Sequence, residues 1–172
     1  RYITTPELVY NEFSCGAKDV SAIRDFCRML YLDSTPGRKI KYLLLLGDCS
    51  YDYKNRDGIV DFVPSYETVA SLYMSTTYVT DDYFGFMDEN EGNIGSSLAD
   101  IGIGRFPVQT LEQATQMVDK IERYIVKDAT TMTSWRNKFT FFCDDNSGFV
   151  QNADSLARML KWVGGEGVVV DK

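Results

Sequence analysis

An α/β fold, a mostly parallel sheet with helices on both faces, follows from three features of the sequence. Ile40 to Leu46 place five branched aliphatics in seven residues before Gly47-Asp48 stops the run. Such a run predicts a strand buried on both faces. A capped amphipathic stretch begins at Thr110, and helical and strand periodicities alternate along most of the chain, as they do in βαβ architectures. With 172 residues and 44% hydrophobic content there is material for one core, so a single α/β domain over residues 1–172 is expected.

The elements follow in order. Arg1 to Thr5 has strand character with no preceding cap, and Pro6 opens a short helical or irregular segment running through Phe13 to Gly16. Asp19 is placed to cap a helix whose Val20, Ile23, Phe26, Cys27 and Leu30 share one face. Asp33 to Gly37 ends that helix, and the chain returns through the strand at Ile40 to Leu46. Ser50 to Thr80 is tyrosine-rich and weakly periodic, an excursion of the length that usually carries function or a contact. Tyr83 to Met87 alternates around Gly85, Asp88 to Gly95 is a polar turn, and Asp100 to Gly104 resumes a strand; together they predict a β-hairpin excursion closing on the sheet.

Thr110 and Gln113 form a capping box, followed by an apolar stripe of Leu111, Ala114, Met117, Val118, Ile121 and Ile125. Phe139 to Cys143 is an aromatic strand ending at Asp144-Asp145. A further helix is expected from Asn152 to Val163, with Ala153, Leu156, Leu160 and Val163 inward and Gly164-Gly165 as its stop. Gly167 to Asp171 is the last strand. Both ends of the sequence are expected to continue into a larger protein.

Composition excludes several classes of function. A net charge of −7 and the lack of a basic patch oppose nucleic-acid binding. Cys15, Cys27, Cys49 and Cys143 form no CxxC pair, so small buried apolar roles are expected for them rather than zinc or a disulfide framework. No run is long enough to span a membrane, and no signal peptide begins the sequence. Histidine is absent altogether, so no Ser-His or Cys-His nucleophilic pair can be assembled from these residues.

What chemistry remains gathers at strand ends, where ligands of parallel α/β sheets bind. Asp48 follows the central strand and either orients a neighbour or serves the turn. Cys49 sits beside it, but no cation or base in the sequence lowers its pKa, and a structural thiol is the weightier reading. Gly102-Ile-Gly104 lacks the third glycine of a dinucleotide fingerprint. Asp88 to Glu91 and Asp100 bring carboxylates of the kind calcium requires, although a charge run of this sort more often faces water.

Five motifs carry a family resemblance. YNEFSCG (10–16), YLLLLGDCSYDYKNR (42–56), YVTDDYFGFMDENEG (78–92), DIGIGRFPVQTLEQATQMVDKIERY (100–124) and WRNKFTFFCDD (135–145) occur in that order in the gingipain-like peptidases of family C25, clan CD, which the whole chain resembles. The resemblance implies a caspase-like fold and a peptidase domain of two α/β halves, of which this chain resembles the first, without its opening β-α unit. The family's catalytic histidine and cysteine lie downstream of the matched region, so the chain alone is expected to be inactive.

The resemblance also implies site residues. Arginine-specific members place an acid at the base of the specificity pocket just before the helix matching Asn152 to Val163, and Phe149 stands there in this sequence. Asp48, Asp144 and Asp145 are the strand-end residues expected to face substrate. Calcium is implied at Asp100, with a histidine ligand of the family replaced near Asn152. Ile103 to Phe106 is expected to be structural. Sortase-type members work at the cell surface of Bacteroidetes, associated with the outer membrane in type IX secretion. The implied partners are therefore the downstream half, a protein or peptide substrate and secretion-system components. A rival reading is a non-catalytic scaffold that binds a partner through the exposed aromatics of Tyr51 to Tyr83.

Overall fold

The computed structural model describes residues 2–52, 54–56, 58, 61–68, 77–93, 95–164 and 169–171. They fall into two compact units, 1–117 and 118–172. Both are α/β units built on parallel strand pairs, the class that the sequence predicts.

The first unit opens with two helices. In α1 (Pro6–Phe13) proline occupies the first turn, where its missing N–H costs nothing, and the Thr5 hydroxyl accepts from the Leu8 amide. Cys15 at φ 52° and Gly16 at φ 84° then reverse the chain. The Asp19 carboxylate caps α2 (Val20–Tyr31) by accepting from the Ser21 amide at 2.8 Å. Ala22, Ile23, Cys27 and Leu30 are its buried face, close to the stripe expected, and Phe13 meets Phe26 edge-on at 6.0 Å.

Strand β1 (Tyr42–Leu46) pairs in parallel with β4 (Gly102–Phe106), Leu44 opposite Gly104. Leu45 is buried among Val9, Tyr10, Ala22, Ile23, Val63 and Phe84, and Cys27, Met87 and Ile101 form a second cluster beside them. The expectation that Ile40 to Leu46 is buried on both faces is not met. Tyr42, Leu44 and Leu46 are 82, 55 and 59% exposed. Side chains alternate along a strand, and α1 and α2 supply the core on the side of Leu43 and Leu45 alone. On the exposed side the Tyr42 ring lies across Gly102, where a Cβ would come within 2.8 Å of it.

The excursion also differs in detail. Its hairpin is β2 (Tyr66–Glu67) with β3 (Val79–Thr80), antiparallel. Asp82–Gly85 is a 3₁₀ turn rather than a strand, because Phe84, Gly85, Phe86 and Met87 are all buried and alternation would have turned half of them outward. Strand β4 starts two residues later than expected. Asp100 uses its carboxylate on the Met87 amide, Ile101 enters the core, and the ladder begins where the Gly102 amide donates to Lys41. Tyr53 and Tyr73 of the tyrosine-rich stretch, and residues 69–76 generally, lie outside the described residues.

Helix α3 (Leu111–Ile125) crosses the boundary between the units. The Thr110 hydroxyl caps the Gln113 amide as the sequence predicts, while the Gln113 side chain reaches back to the amide of Gln109 rather than that of Thr110. None of its apolar stripe is buried.

In the second unit β5 (Lys138–Thr140) pairs in parallel with β6 (Val169–Asp171), and α4 (Ser147–Gly164) lies between them in sequence. The expected strand Phe139 to Cys143 is shorter and earlier, and the expected helix Asn152 to Val163 begins five residues sooner. Its buried residues are Ala153 and Ala157, whereas Leu156 and Val163 are exposed and Leu160 is half-buried. The helix approaches its neighbours through a small-residue stripe at i, i+4, which leaves the larger side chains outside. Gly165 and Gly167 lie outside the described residues. Cysteine burial is mixed: Cys27 is buried and Cys49 half-buried, but Cys15 and Cys143 are exposed, and all four are free.

Candidate functional site

The carboxyl ends of β1 and β4 meet around one side chain that the sequence does not advertise. Arg105 points inward from β4 and forks onto Asp81, Nε to Oδ2 at 2.8 Å and Nη2 to Oδ1 at 2.7 Å. Its Nη1 donates to the carbonyls of Gly47 at 2.8 Å and Val63 at 2.7 Å, and Ser65 Oγ donates to Asp81. A guanidinium this buried needs every donor matched, and here the matching ties together β1, the 61–65 loop, the 3₁₀ turn and β4. The expectation that Ile103 to Phe106 is structural fits this role.

Asp48 stands at the same edge. Gly47 turns the chain there at φ 143°, against the Phe62 side chain. The Asp48 carboxylate accepts from its neighbour's amide, Cys49 N, at 3.0 Å and from Gln109 Nε2 at 2.7 Å, and its carbonyl accepts from the amides of Phe62 and Val63. It therefore braces a loop and could present only a remaining lone pair to a ligand. Burial raises the Cys49 thiol, opposed by the nearby Arg105 charge and reinforced by Asp81, Asp48 and Asp61. A thiol so placed is protonated at neutral pH and is a weak nucleophile. Asp61, which sequence reasoning passed over, accepts from the Ser50 amide and pairs with Lys18 at 2.6 Å.

Asp100 does not stand alone. One carboxylate oxygen from each of Asp88, Glu91 and Asp100 lies within 4.8 Å of the others. The turn carrying them is held by α2, with Arg24 donating to the carbonyls of Phe86 and Glu91 and Arg28 to that of Met87. These are hard oxygen donors of the type calcium takes, about half or fewer of the roughly six to eight it needs. The signal in sequence is the spacing of Asp88 and Glu91, which becomes meaningful once Asp100 folds back to cap Met87.

Asp144 and Phe149 come together in the second unit. Past β5 and over the first turns of α4 lies an open hollow of about 350 Å³, bordered by Phe141, Phe142, Asp144, Phe149, Asn152 and Leu156 among others. Phe149 lies inside the first turn of α4 rather than before the helix. Hydrogen bonding with Asp145, from its carboxyl and then its amide, holds the exposed Asp144 carboxyl below the usual range. Asp145 is exposed beside it.

The sequence over residues 2–166 matches the model of peptidase family C25. The chain belongs to peptidase family C25. A solved structure, dimeric latent PorU from Porphyromonas gingivalis, is 34% identical over 69% of this chain, with a TM-score of 0.56. The Arg-specific cysteine proteinase gingipain R is 17% identical over 93% of the chain at a TM-score of 0.55, a likeness of fold. The chain spans 12% of that PorU chain and 33% of the gingipain R chain. No curated protein matches it. Membership of family C25 accounts for the order of the five motifs and for the parallel α/β units. No helix among the described residues is long and apolar enough to cross a membrane.

Proposed function

We propose that this C25 chain is the non-nucleophilic half of a cysteine endopeptidase of sortase type, which processes exported proteins at the cell surface. The observation that carries this reading is the absence of histidine from a chain that matches the family over residues 2–166; the best-placed thiol, Cys49, is also raised rather than activated. The histidine and the nucleophilic cysteine would come from a downstream half of the same domain. Each unit would offer its own strand-end residues to substrate: Asp48 in the first through its carboxylate, and Asp144, Asp145 and Phe149 in the second, past β5.

Calcium is part of the proposal. Asp88, Glu91 and Asp100 would hold it as oxygen ligands, fixing the turn between the excursion and β4. Outer-membrane association and secretion-system partners belong to the same reading, supported by the 34% identity to PorU.

The test is labelling of the full-length protein with an electrophilic peptide probe, with this chain alone as control. Label on one cysteine outside residues 1–172, and none on the chain alone, is the expected result. Label on Cys49 of the chain would sink the assignment of that thiol. A folded full-length protein that takes no label from probes of varied sequence points instead to a scaffold binding through the 51–83 region, where Tyr51 and Tyr78 are exposed.

A further inference from the structure

We propose that Glu67 makes the β2–β3 hairpin a pH-sensitive latch: its protonated carboxyl lets the hairpin close, and its ionised carboxylate loosens it. The inference is independent of the peptidase reading.

Glu67 lies in β2, opposite Val79 of β3. Its side chain is half-buried, and its Oε1 is shielded from solvent with no hydrogen-bond partner among the described residues. An ionised oxygen so placed has given up its water and received no donor in exchange, whereas a neutral carboxyl loses far less in the same position.

The groups around it offer no relief. Across the ladder β3 carries only Val79 and Thr80, neither of which titrates. The loop after β1 brings Asp52 and the 61–65 loop brings Asp61, two acids whose charge opposes ionisation of Glu67. From the 3₁₀ turn comes Tyr83, a phenol rather than a cation, stacked on Tyr66 with ring centroids 4.3 Å apart. Lys18 and Arg105 reach this loop, but Lys18 is engaged with Asp61 at 2.6 Å and Arg105 with Asp81 at 2.7 Å. Burial is the largest cause acting on the Glu67 carboxyl, ahead of Asp52 and Asp61, and all three push it above the usual glutamate range. The Lys18 pair offsets part of the Asp61 charge, which is why burial leads.

The element that Glu67 acts on is small. Two residues pair on each strand, continued by the Thr68 amide on the Tyr78 carbonyl at 3.1 Å and the Tyr78 amide on the Thr68 hydroxyl at 3.3 Å. A hairpin of this size is marginal by itself, so one carboxyl can tip it. Opening returns Glu67 to water and to the ordinary glutamate range. The closed hairpin therefore binds the Glu67 proton more tightly than the open one does. Its advantage is complete below the ordinary range and is lost as pH rises through the raised value.

The test follows the 172-residue chain by NMR. Protection of the Thr68 and Tyr78 amides from hydrogen exchange, each taken against its intrinsic rate, is measured at about pH 4 and about pH 7. The Leu32 amide at the end of α2, which donates to Arg28, is the reference. Relative to Leu32, protection at Thr68 and Tyr78 is expected to fall at least about 3-fold from the lower to the higher pH, and to stay at the acid level in Glu67→Gln. An unchanged ratio in the unaltered chain, or the same fall in Glu67→Gln, would overturn the inference. Should Glu67→Gln not fold, the carboxyl carbon signal of Glu67 in the unaltered chain decides. A titration midpoint above the ordinary glutamate range supports the latch, and one within or below that range overturns it.

Discussion

The two units invest comparable apolar sequence in different ways. The first closes Leu45, Val63 and Phe84 against α1 and α2 and locks its strand ends with the Arg105–Asp81 fork. The second buries Ala153 and Ala157 and leaves Phe142, Met159 and Trp162 outside. Apolar content therefore does not by itself make a core; what matters is whether segments distant in sequence return to cover it. The first unit is tied together at a strand edge, and the second leaves large aromatic side chains exposed.

Thiol chemistry should show the largest contrast. Cys143 of the second unit is exposed, whereas Cys27 of the first is buried in apolar surroundings that push its thiol up to about 12. Alkylation followed by mass spectrometry is expected to modify Cys143 at least about 1,000-fold faster than Cys27, since reaction at Cys27 must wait for opening of a core. Similar rates would mean that the first unit is no more closed than the second.

Core truncation comes next. Phe84→Ala is expected to cost about 3–5 kcal/mol in urea unfolding, and Trp162→Ala, at a side chain 87% exposed, less than about 0.5 kcal/mol. Equal losses would break the comparison outright. Arg105→Ala should fall with Phe84→Ala at about 3–5 kcal/mol, because it strands Asp81 without its partner.

A smaller effect sharpens the description of the first core. The Tyr10 hydroxyl is buried with no hydrogen-bond partner among the described residues, and burial, with the charges of Asp61, Glu7 and Asp19, raises it from 10.0 to about 12. Above pH 10 the unfolded chain loses this proton while the folded chain keeps it, so the unfolded state binds fewer protons and stability falls as pH rises toward 12. Tyr10→Phe is expected to remove that part of the alkaline loss and to stabilise the neutral protein by up to about 1 kcal/mol, since an unsatisfied group is deleted. A destabilised Tyr10→Phe would point to a partner for the hydroxyl. Asp19→Ala, which removes only the α2 cap, should cost about 1 kcal/mol.

Much of the fold was legible because its signals are local. Asp19 and Thr110 mark helix starts through their own side chains, and Gly47 ends β1 where a positive φ is needed. The candidate site was legible in part. Asp144 and Phe149 were expected to face substrate and line one hollow, and Asp88 to Glu91 were weighed with Asp100 as carboxylates for calcium, although their charge run was read as facing water. Arg105 was read as part of a structural motif, but its hydrogen-bond network reaches residues 24 and 58 positions away, which no local pattern reveals. A charged residue in an otherwise apolar strand was the available clue, since such a residue needs a buried partner.

By itself, then, the sequence determined the class of fold, the caps and turns, the C25 motifs and the lack of a histidine, because each rests on neighbouring residues or on composition. Tertiary structure alone decided which face of β1 is covered, that Tyr83 to Met87 coils inward instead of pairing, that Asp48 braces a loop, and that the large side chains of α4 face out. These outcomes depend on which distant segments return to compete for the same surface and the same hydrogen-bond donors, a competition that local periodicity does not encode.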